Sequence, residues 1–352
     1  MSSKSETFLV TGANGFIGSH LAQHFHREGA HVLAGVRRLE SGELLASKGI
    51  EVVMFDLQKP EDFPKVLQEI GTIVNVGAWL GRAPKGAKEA YLKQKRGEKL
   101  TAPEKACAQA WKTNVVGNRN LIDAAIKANV QRFVDTSSIA VYGLPTKGVI
   151  TEDTPTRPYD AYSETKIESE KILFDRKNEI ECVTIRPGQV IGERDNRWTL
   201  QPFERVKNGQ IVLIGAGSGT FHPTYIENLV RLYELAGESK EAVGQVYNAV
   251  DTTITFGEYI QYFERMLGKE AKKLSVPLWA FVLGARSLEF TLRLVGKYPP
   301  VTDDDVKFLA GSAIFSNEKA KRELGWIPTV SISQAMGNIE QWLRETGRLN
   351  RK

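Results

Sequence analysis

Six short, almost uninterrupted apolar runs mark the first half of the chain, separated by stretches whose apolar residues recur at helical spacing. They are T-F-L-V from Thr7, H-V-L-A-G-V-R from His31, E-V-V-M-F-D from Glu51, T-I-V-N-V-G-A from Thr72, R-F-V-D-T-S-S from Arg132 and C-V-T-I-R-P from Cys182. A strand with one wet face alternates apolar and polar residues, whereas a strand covered on both faces stays apolar throughout. The pattern predicts an α/β fold, a doubly wound parallel sheet with helices on both sides. After Pro187 it becomes irregular, with prolines at 277, 299 and 300. This places residues 1–187 in one domain and residues 188–352 in a smaller, mixed C-terminal region. From that region Q-V-Y-N-A-V, starting at Gln245, is expected to return to the main sheet.

Two segments interrupt the pattern. Residues 81–105 are polar, lysine-rich and bracketed by prolines, which reads as a partly helical surface insertion or as a lid over a site at the strand ends. The run from Val276 to Val295 is about as long as a membrane span. Arg286, Glu289 and Arg293 recur there at helical spacing and predict a polar stripe on an amphipathic helix packed on its own domain. No transmembrane segment is expected, and a peripheral membrane contact is the alternative.

The first apolar run passes directly into T-G-A-N-G-F-I-G-S-H, which spaces Gly12, Gly15 and Gly18 ahead of a helical pattern. Glycines here permit the turn and let the backbone approach a pyrophosphate, which the helix N-terminus attracts. This strand-loop-helix context makes residues 1–187 a Rossmann-type dinucleotide-binding domain, with Gly12, Asn14, Gly15, Phe16, Ile17 and Gly18 as its cradle. At the end of the second run an acid would receive the ribose of NAD, and an arginine the phosphate of NADP. Arg37 and Arg38 stand there, so NADP(H) is favoured, with NAD(H) as the alternative because Glu40 is close. Asp56 and Leu57, after the third run, are placed near the adenine.

A second chemical signal is D-A-Y-S-E-T-K, Asp160 to Lys166. Tyr162 and Lys166 are four apart and share a helix face. A cation beside a phenol favours loss of its proton, which suits a group that exchanges a proton with an alcohol or carbonyl oxygen.

Composition changes this picture little. The 352 residues are 41% hydrophobic and 25% charged, with a formal net charge of +5 spread among acids, which argues against a nucleic-acid surface. Two cysteines, Cys107 and Cys182, form no metal or disulfide pattern. His20 and His24 are read as polar helix-face residues rather than metal ligands. The start, M-S-S-K-S-E-T, has no apolar leader, and a cytoplasmic protein is expected.

Together the cradle, V-D-T-S-S-I-A-V-Y-G and Y-S-E-T-K resemble the extended short-chain dehydrogenase/reductase family over most of the chain. The resemblance implies a catalytic set of Ser138, Tyr162, Lys166 and Asn114. Ser138 would bind the substrate oxygen, Tyr162 exchange the proton, Lys166 hold the nicotinamide ribose, and Asn114 help to hold a relay water. Gly77 and Ala78, small residues after the fourth run, and Pro187 would lie against the cofactor. Asn75 departs from the histidine frequent in the family. A homodimer is also implied, pairing through the helices of Asn114 and Tyr162.

Further stretches are similar to 3β-hydroxysteroid dehydrogenase-like and NAD-dependent epimerase/dehydratase-like members: T-I-R-P-G-Q-V-I-G-E-R-D from Thr184, H-P-T-Y-I-E-N from His222 and A-I-F-S-N-E-K-A-K-R-E-L-G-W-I-P from Ala313. G-S-G-T-F-H, ending at His222, lacks the arginine that would hold a sugar-nucleotide diphosphate. These features imply an oxidoreductase for a bulky, largely apolar small molecule. Trp79, Ser138, Gln189, Trp198, Leu200 and Trp279 are candidate substrate contacts. A sugar-nucleotide epimerase with tightly held NAD is the second reading, and a non-catalytic cofactor-sensing protein the third.

Overall fold

The computed structural model describes residues 7–294, 298–299 and 302–350. The N-terminal six residues, Val295 and Pro300 therefore lie outside the described residues, as does the side chain of Arg293.

The six apolar runs form strands β1 (Thr7–Thr11), β2 (His31–Val36), β3 (Glu51–Met54), β4 (Thr72–Asn75), β5 (Arg132–Thr136) and β6 (Glu181–Pro187). The returning segment is β7, Gln245–Ala249, which pairs in parallel with β6, Gln245 opposite Val183 and Ala249 opposite Pro187. All seven strands are parallel, in the order β7-β6-β5-β4-β1-β2-β3. The chain direction across the sheet reverses between β1 and β4, where folds of this kind bind ligands beyond the strand C-termini.

Strand composition follows from what covers each face. Phe8 and Val10 belong to one hydrophobic cluster and Leu9 between them to the other. On β5, Val134 and Phe133 divide in the same way. The first cluster continues into the region after Pro187, where Val190, Phe203 and Phe263 share it with Val10 and Val183. The second holds the helices of the opposite face through Leu121, Ile122 and Leu173.

Residues 81–105 are helical in part, as expected. The helix Ala87–Lys95 lies within them and the helix Ala102–Trp111 starts there, opened by a reciprocal cap between Thr101 and Glu104. Both cysteines are buried and free.

The late apolar run differs from expectation. It forms the helix Leu278–Leu294, with Arg286 exposed, but apolar residues are exposed on it as well: Trp279 by 72%, Leu283 by 60% and Phe290 by 67%. A helix with apolar residues on two sides carries no sequence signal for which apolar stripe faces inward. Among the described residues no helix is long and apolar enough to cross a membrane.

Candidate active site

The residues singled out for cofactor binding and catalysis sit just beyond the C-terminal ends of the parallel strands. At the end of β1 the chain turns through Gly12, at φ +62°, and enters the helix Phe16–Arg27 at Gly15. Gly15 N–H donates to the Gly12 oxygen at 2.9 Å, which closes the turn. A Cβ on Gly12 would lie 2.9 Å from Gly77 Cα, and one on Gly18 would lie 2.4 Å from the Gly12 oxygen. The first glycine thus lets the β1 and β4 loops touch, and the third lets the helix close on the turn. Gly77 is itself confined, with Thr11 Oγ1 and Leu57 Cδ1 within 3.4 Å of where its Cβ would stand.

Under this crevice lies a polar network that sequence reasoning missed. Thr11 Oγ1 donates to Asn75 Oδ1 at 2.7 Å and accepts from the Val76 and Gly77 amides. Asn75 Nδ2 donates to Asp135 at 2.8 Å and to Asn118 at 3.0 Å. Asn75, the departure from the family pattern, is therefore the hub that joins β1, β4 and β5. Burial pushes the Asp135 carboxyl above the usual range, opposed by the charge of Lys166 and the bond from Asn75.

Arg37 and Arg38 follow β2 directly, and both are exposed, as is Glu40. Asp56 is half-buried and accepts from the Gln58 amide, while Leu57 is buried beside Gly77. Asn14 is exposed at the turn, Phe16 and Ile17 are half-buried in the first helical turn, and Pro187 is buried at the end of β6.

Ser138 is two residues past β5, extended, with Oγ accepting from the Ala140 amide at 3.1 Å. Ser137 beside it is buried and its hydroxyl has no protein partner. Tyr162 and Lys166 lie on the helix Ala161–Asp175, which Asp160 opens by capping the Ser163 amide at 2.8 Å. Tyr162 is half-buried and Lys166 buried, its Nζ 6.0 Å from the centre of the Tyr162 ring. The same ammonium donates to the Thr136 carbonyl at the end of β5. Helix and strand end are thereby joined, and Ser138 enters the same corner.

Asn114 lies in a turn of π-helix, Lys112–Gly117, an irregularity frequent at functional sites. Its side chain is fully engaged. Oδ1 accepts from the Trp79 amide at 2.6 Å, and Nδ2 donates to the Trp79 carbonyl and to Thr165 Oγ1. It therefore clamps the loop after β4 onto the helix of Tyr162. Its main-chain oxygen accepts from Ser169.

The insertion is fastened to that same helix. Glu164 accepts from the amides of Gly86 and Ala87 at 2.7 and 2.9 Å, an acid from a neighbouring helix capping the N-terminus of Ala87–Lys95. The Ala161 amide donates to the Ala83 carbonyl, and Arg82 pairs with Asp305 at 2.6 Å.

Trp79 is half-buried beside the site. Gln189 is buried with Oε1 accepting from the His222 amide. Trp198 packs edge-on to Phe221, and Leu200 packs against the core. Trp279 faces solvent, so the expectation that it walls a pocket is corrected. A cleft of about 470 Å³ does open beside the V-Y-G turn, lined by residues 142–146, 154–155 and 157–159 and by Lys307. Sequence reasoning did not select these residues; the proline-rich loop after V-Y-G was the available signal. The two helix-face histidines part company, His20 meeting the Glu193 carbonyl and His24 the Glu234 carboxylate.

Comparison with known proteins agrees with this geometry. The chain is 29% identical to a 3-beta-hydroxysteroid dehydrogenase of Mycolicibacterium neoaurum, over 93% of this chain and 88% of the relative. It is 24% identical to an N-acetyl-alpha-D-glucosaminyl-diphospho-ditrans,octacis-undecaprenol 4-epimerase of Escherichia coli O157:H7, over 96% of this chain and 95% of the relative. Its fold matches that of a UDP-glucuronic acid 4-epimerase from Bacillus cereus, solved with UDP-glucuronic acid and NAD, with a TM-score of 0.73, 22% identity and coverage of 97% and 99%. The profile of the NAD dependent epimerase/dehydratase family matches residues 8–94 and 100–249. With its parallel sheet, glycine cradle and Tyr162–Lys166 helix, the chain belongs to this family, and it is an enzyme of the extended short-chain dehydrogenase/reductase type.

Proposed function

We propose that the protein is an NADP(H)-dependent oxidoreductase that interconverts an alcohol and a ketone or aldehyde on a bulky, largely apolar small molecule. The observation that carries this reading is the placement of Lys166, one helical turn from Tyr162 and bonded to Thr136, two residues before Ser138. The glycine cradle fits a dinucleotide, since its glycines let the turn and helix N-terminus close tightly where a Cβ at position 12 or 18 would strike Gly77 or the Gly12 oxygen. When bound, the cofactor supplies or accepts the hydride.

The chain's own groups handle the proton and the substrate oxygen. The Tyr162 hydroxyl gives its proton to that oxygen in reduction and takes it back in oxidation. Lys166 offsets the negative charge left on the phenol oxygen and would hold the ribose hydroxyls. Ser138 Oγ already accepts from the Ala140 amide, so its own proton is directed elsewhere and is available to the substrate oxygen. Asn114 acts by position, through its clamp on Trp79 and Thr165, rather than through a free side chain.

Arg37 and Arg38 support the choice of NADP(H), since both are exposed at the tip of β2 where an extra phosphate would lie. The steroid dehydrogenase relative supports an apolar substrate. So does the absence of an arginine in G-S-G-T-F-H before the buried Phe221.

The test is a fluorescence titration of purified protein with NADPH and NADH, after identifying any nucleotide that copurifies, followed by turnover of hydrophobic carbonyl compounds. Tighter, exchangeable NADPH and net turnover are expected. Retained NAD that does not exchange, with a sugar nucleotide interconverted and no net cofactor consumption, overturns the reading in favour of an epimerase.

A further inference from the structure

The exposed side of the helix Leu278–Leu294 is the feature that the catalytic reading leaves unused. Trp279, Leu283, Phe290 and Leu294 are spaced by four, seven and four residues, so at about 100° per residue they fall within an arc of about 60°. All four are exposed, Leu294 by 72%. Ala285, which is buried, lies on the opposite side. Leu274 and Val212, opposite each other on the two-stranded sheet formed by Lys273–Val276 and Ile211–Ile214, are exposed as well. Isolated apolar residues on a surface need no explanation, but a continuous stripe marks an interaction site.

We propose that this helix docks the enzyme on an anionic lipid surface, lying in the plane of the interface. Charge selects this occupant. From Lys269 to Lys297 the chain carries six cations (Lys269, Lys272, Lys273, Arg286, Arg293 and Lys297) and two acids (Glu270 and Glu289), a net +4 where the whole chain has +5. Lys273 is paired with Glu264, and the remaining sign is still positive. A second copy would bring the same charge to the contact, whereas anionic headgroups attract it. A tryptophan in the first turn and lysines just ahead of the helix suit a segment that lies in the headgroup region.

The docking helix adjoins an element that borders the cleft. The helix packs against Asp303–Leu309, whose Lys307 lines the cleft and whose Asp305 pairs with Arg82 of the insertion. A molecule dissolved in the lipid would meet the enzyme at elements that border its site. The docking argument rests on exposure and charge and holds whatever the substrate.

The experiment is co-sedimentation of the full chain with vesicles of pure phosphatidylcholine and of mixed phosphatidylcholine and phosphatidylglycerol, at low and high salt. Binding to the mixed vesicles, weakened by salt, is expected. The double variant Leu283→Ser/Phe290→Ser is expected to lower it about tenfold or more, and Lys269→Glu/Lys272→Glu to abolish the preference for anionic lipid. NADPH titration of each variant checks that the fold is intact and reads the cofactor site independently. Equal sedimentation of wild type and Leu283→Ser/Phe290→Ser overturns the proposal. A wild-type dimer that this variant converts to monomer, without lipid binding, also overturns it and assigns the face to a second copy.

Discussion

Lys166 donates to the main-chain oxygen of Thr136 at 2.5 Å, and this bond ties the helix of the candidate acid–base tyrosine to the strand whose end carries Ser138. Lys166 thus has a structural partner below and the Tyr162 ring beside it. The proposed chemistry needs a proton on Tyr162 and a charge on Lys166, so removing each is expected to have a separable effect.

Tyr162→Phe keeps the ring and deletes the exchangeable proton. Turnover is expected to fall by about 10²-fold or more, while the NADPH dissociation constant changes little. Lys166→Met is expected to lower both turnover and cofactor affinity, since it would remove the proposed ribose contact as well as a charge. Steady-state kinetics on an active carbonyl substrate and cofactor fluorescence distinguish the two. Unchanged turnover in Tyr162→Phe would remove the tyrosine from the mechanism.

Cofactor preference tests the tip of β2. Replacing Arg37 and Arg38 together by alanine is expected to weaken NADPH binding about tenfold or more, as loss of two charge-assisted contacts implies, and to leave NADH binding nearly unchanged. Equal weakening of both cofactors would mean that the arginines are ordinary surface charge.

The cradle has a steric test with an internal control. Gly18→Ala puts a Cβ 2.4 Å from the Gly12 oxygen, so the turn must shift. Destabilisation of about 1–3 kcal/mol is expected from the overpacking, together with loss of cofactor binding. Gly29→Ala, at φ +89° with no atom within 4 Å of the new Cβ, is expected to cost about 1–2 kcal/mol of backbone strain and leave cofactor binding intact.

His222 gives the fold a dependence on pH. It is fully buried against Phe315, its Nε2 has no protein partner, and burial lowers its pKa from 6.5 to about 4. Between those values the unfolded chain binds a proton that the folded chain does not. This contribution is therefore complete above about pH 6.5 and is lost as pH falls towards 4, by about 3 kcal/mol in all. Urea denaturation at neutral and at mildly acidic pH is expected to show a smaller loss in His222→Gln than in the wild type. Parallel pH profiles would exclude the histidine as a source.

By itself the sequence determined the elements and the chemistry whose signals are local. Apolar runs marked the parallel strands because both their faces are covered, including the return of Gln245–Ala249. The glycine cradle and the Tyr162–Lys166 pair were legible because a turn and a helix face are properties of a few adjacent residues. Tertiary structure decided the rest, because those relations join residues far apart in the chain. Asn114 clamps Trp79, 35 positions away, and Glu164 caps a helix 77 positions before it. Asn75 joins three strands in a network of buried polar groups, each of which needs a partner once water is excluded. Trp279 faces outward for a related reason. On a helix with apolar residues on two sides, the side that packs is chosen by its neighbours, and no periodicity in the sequence names them.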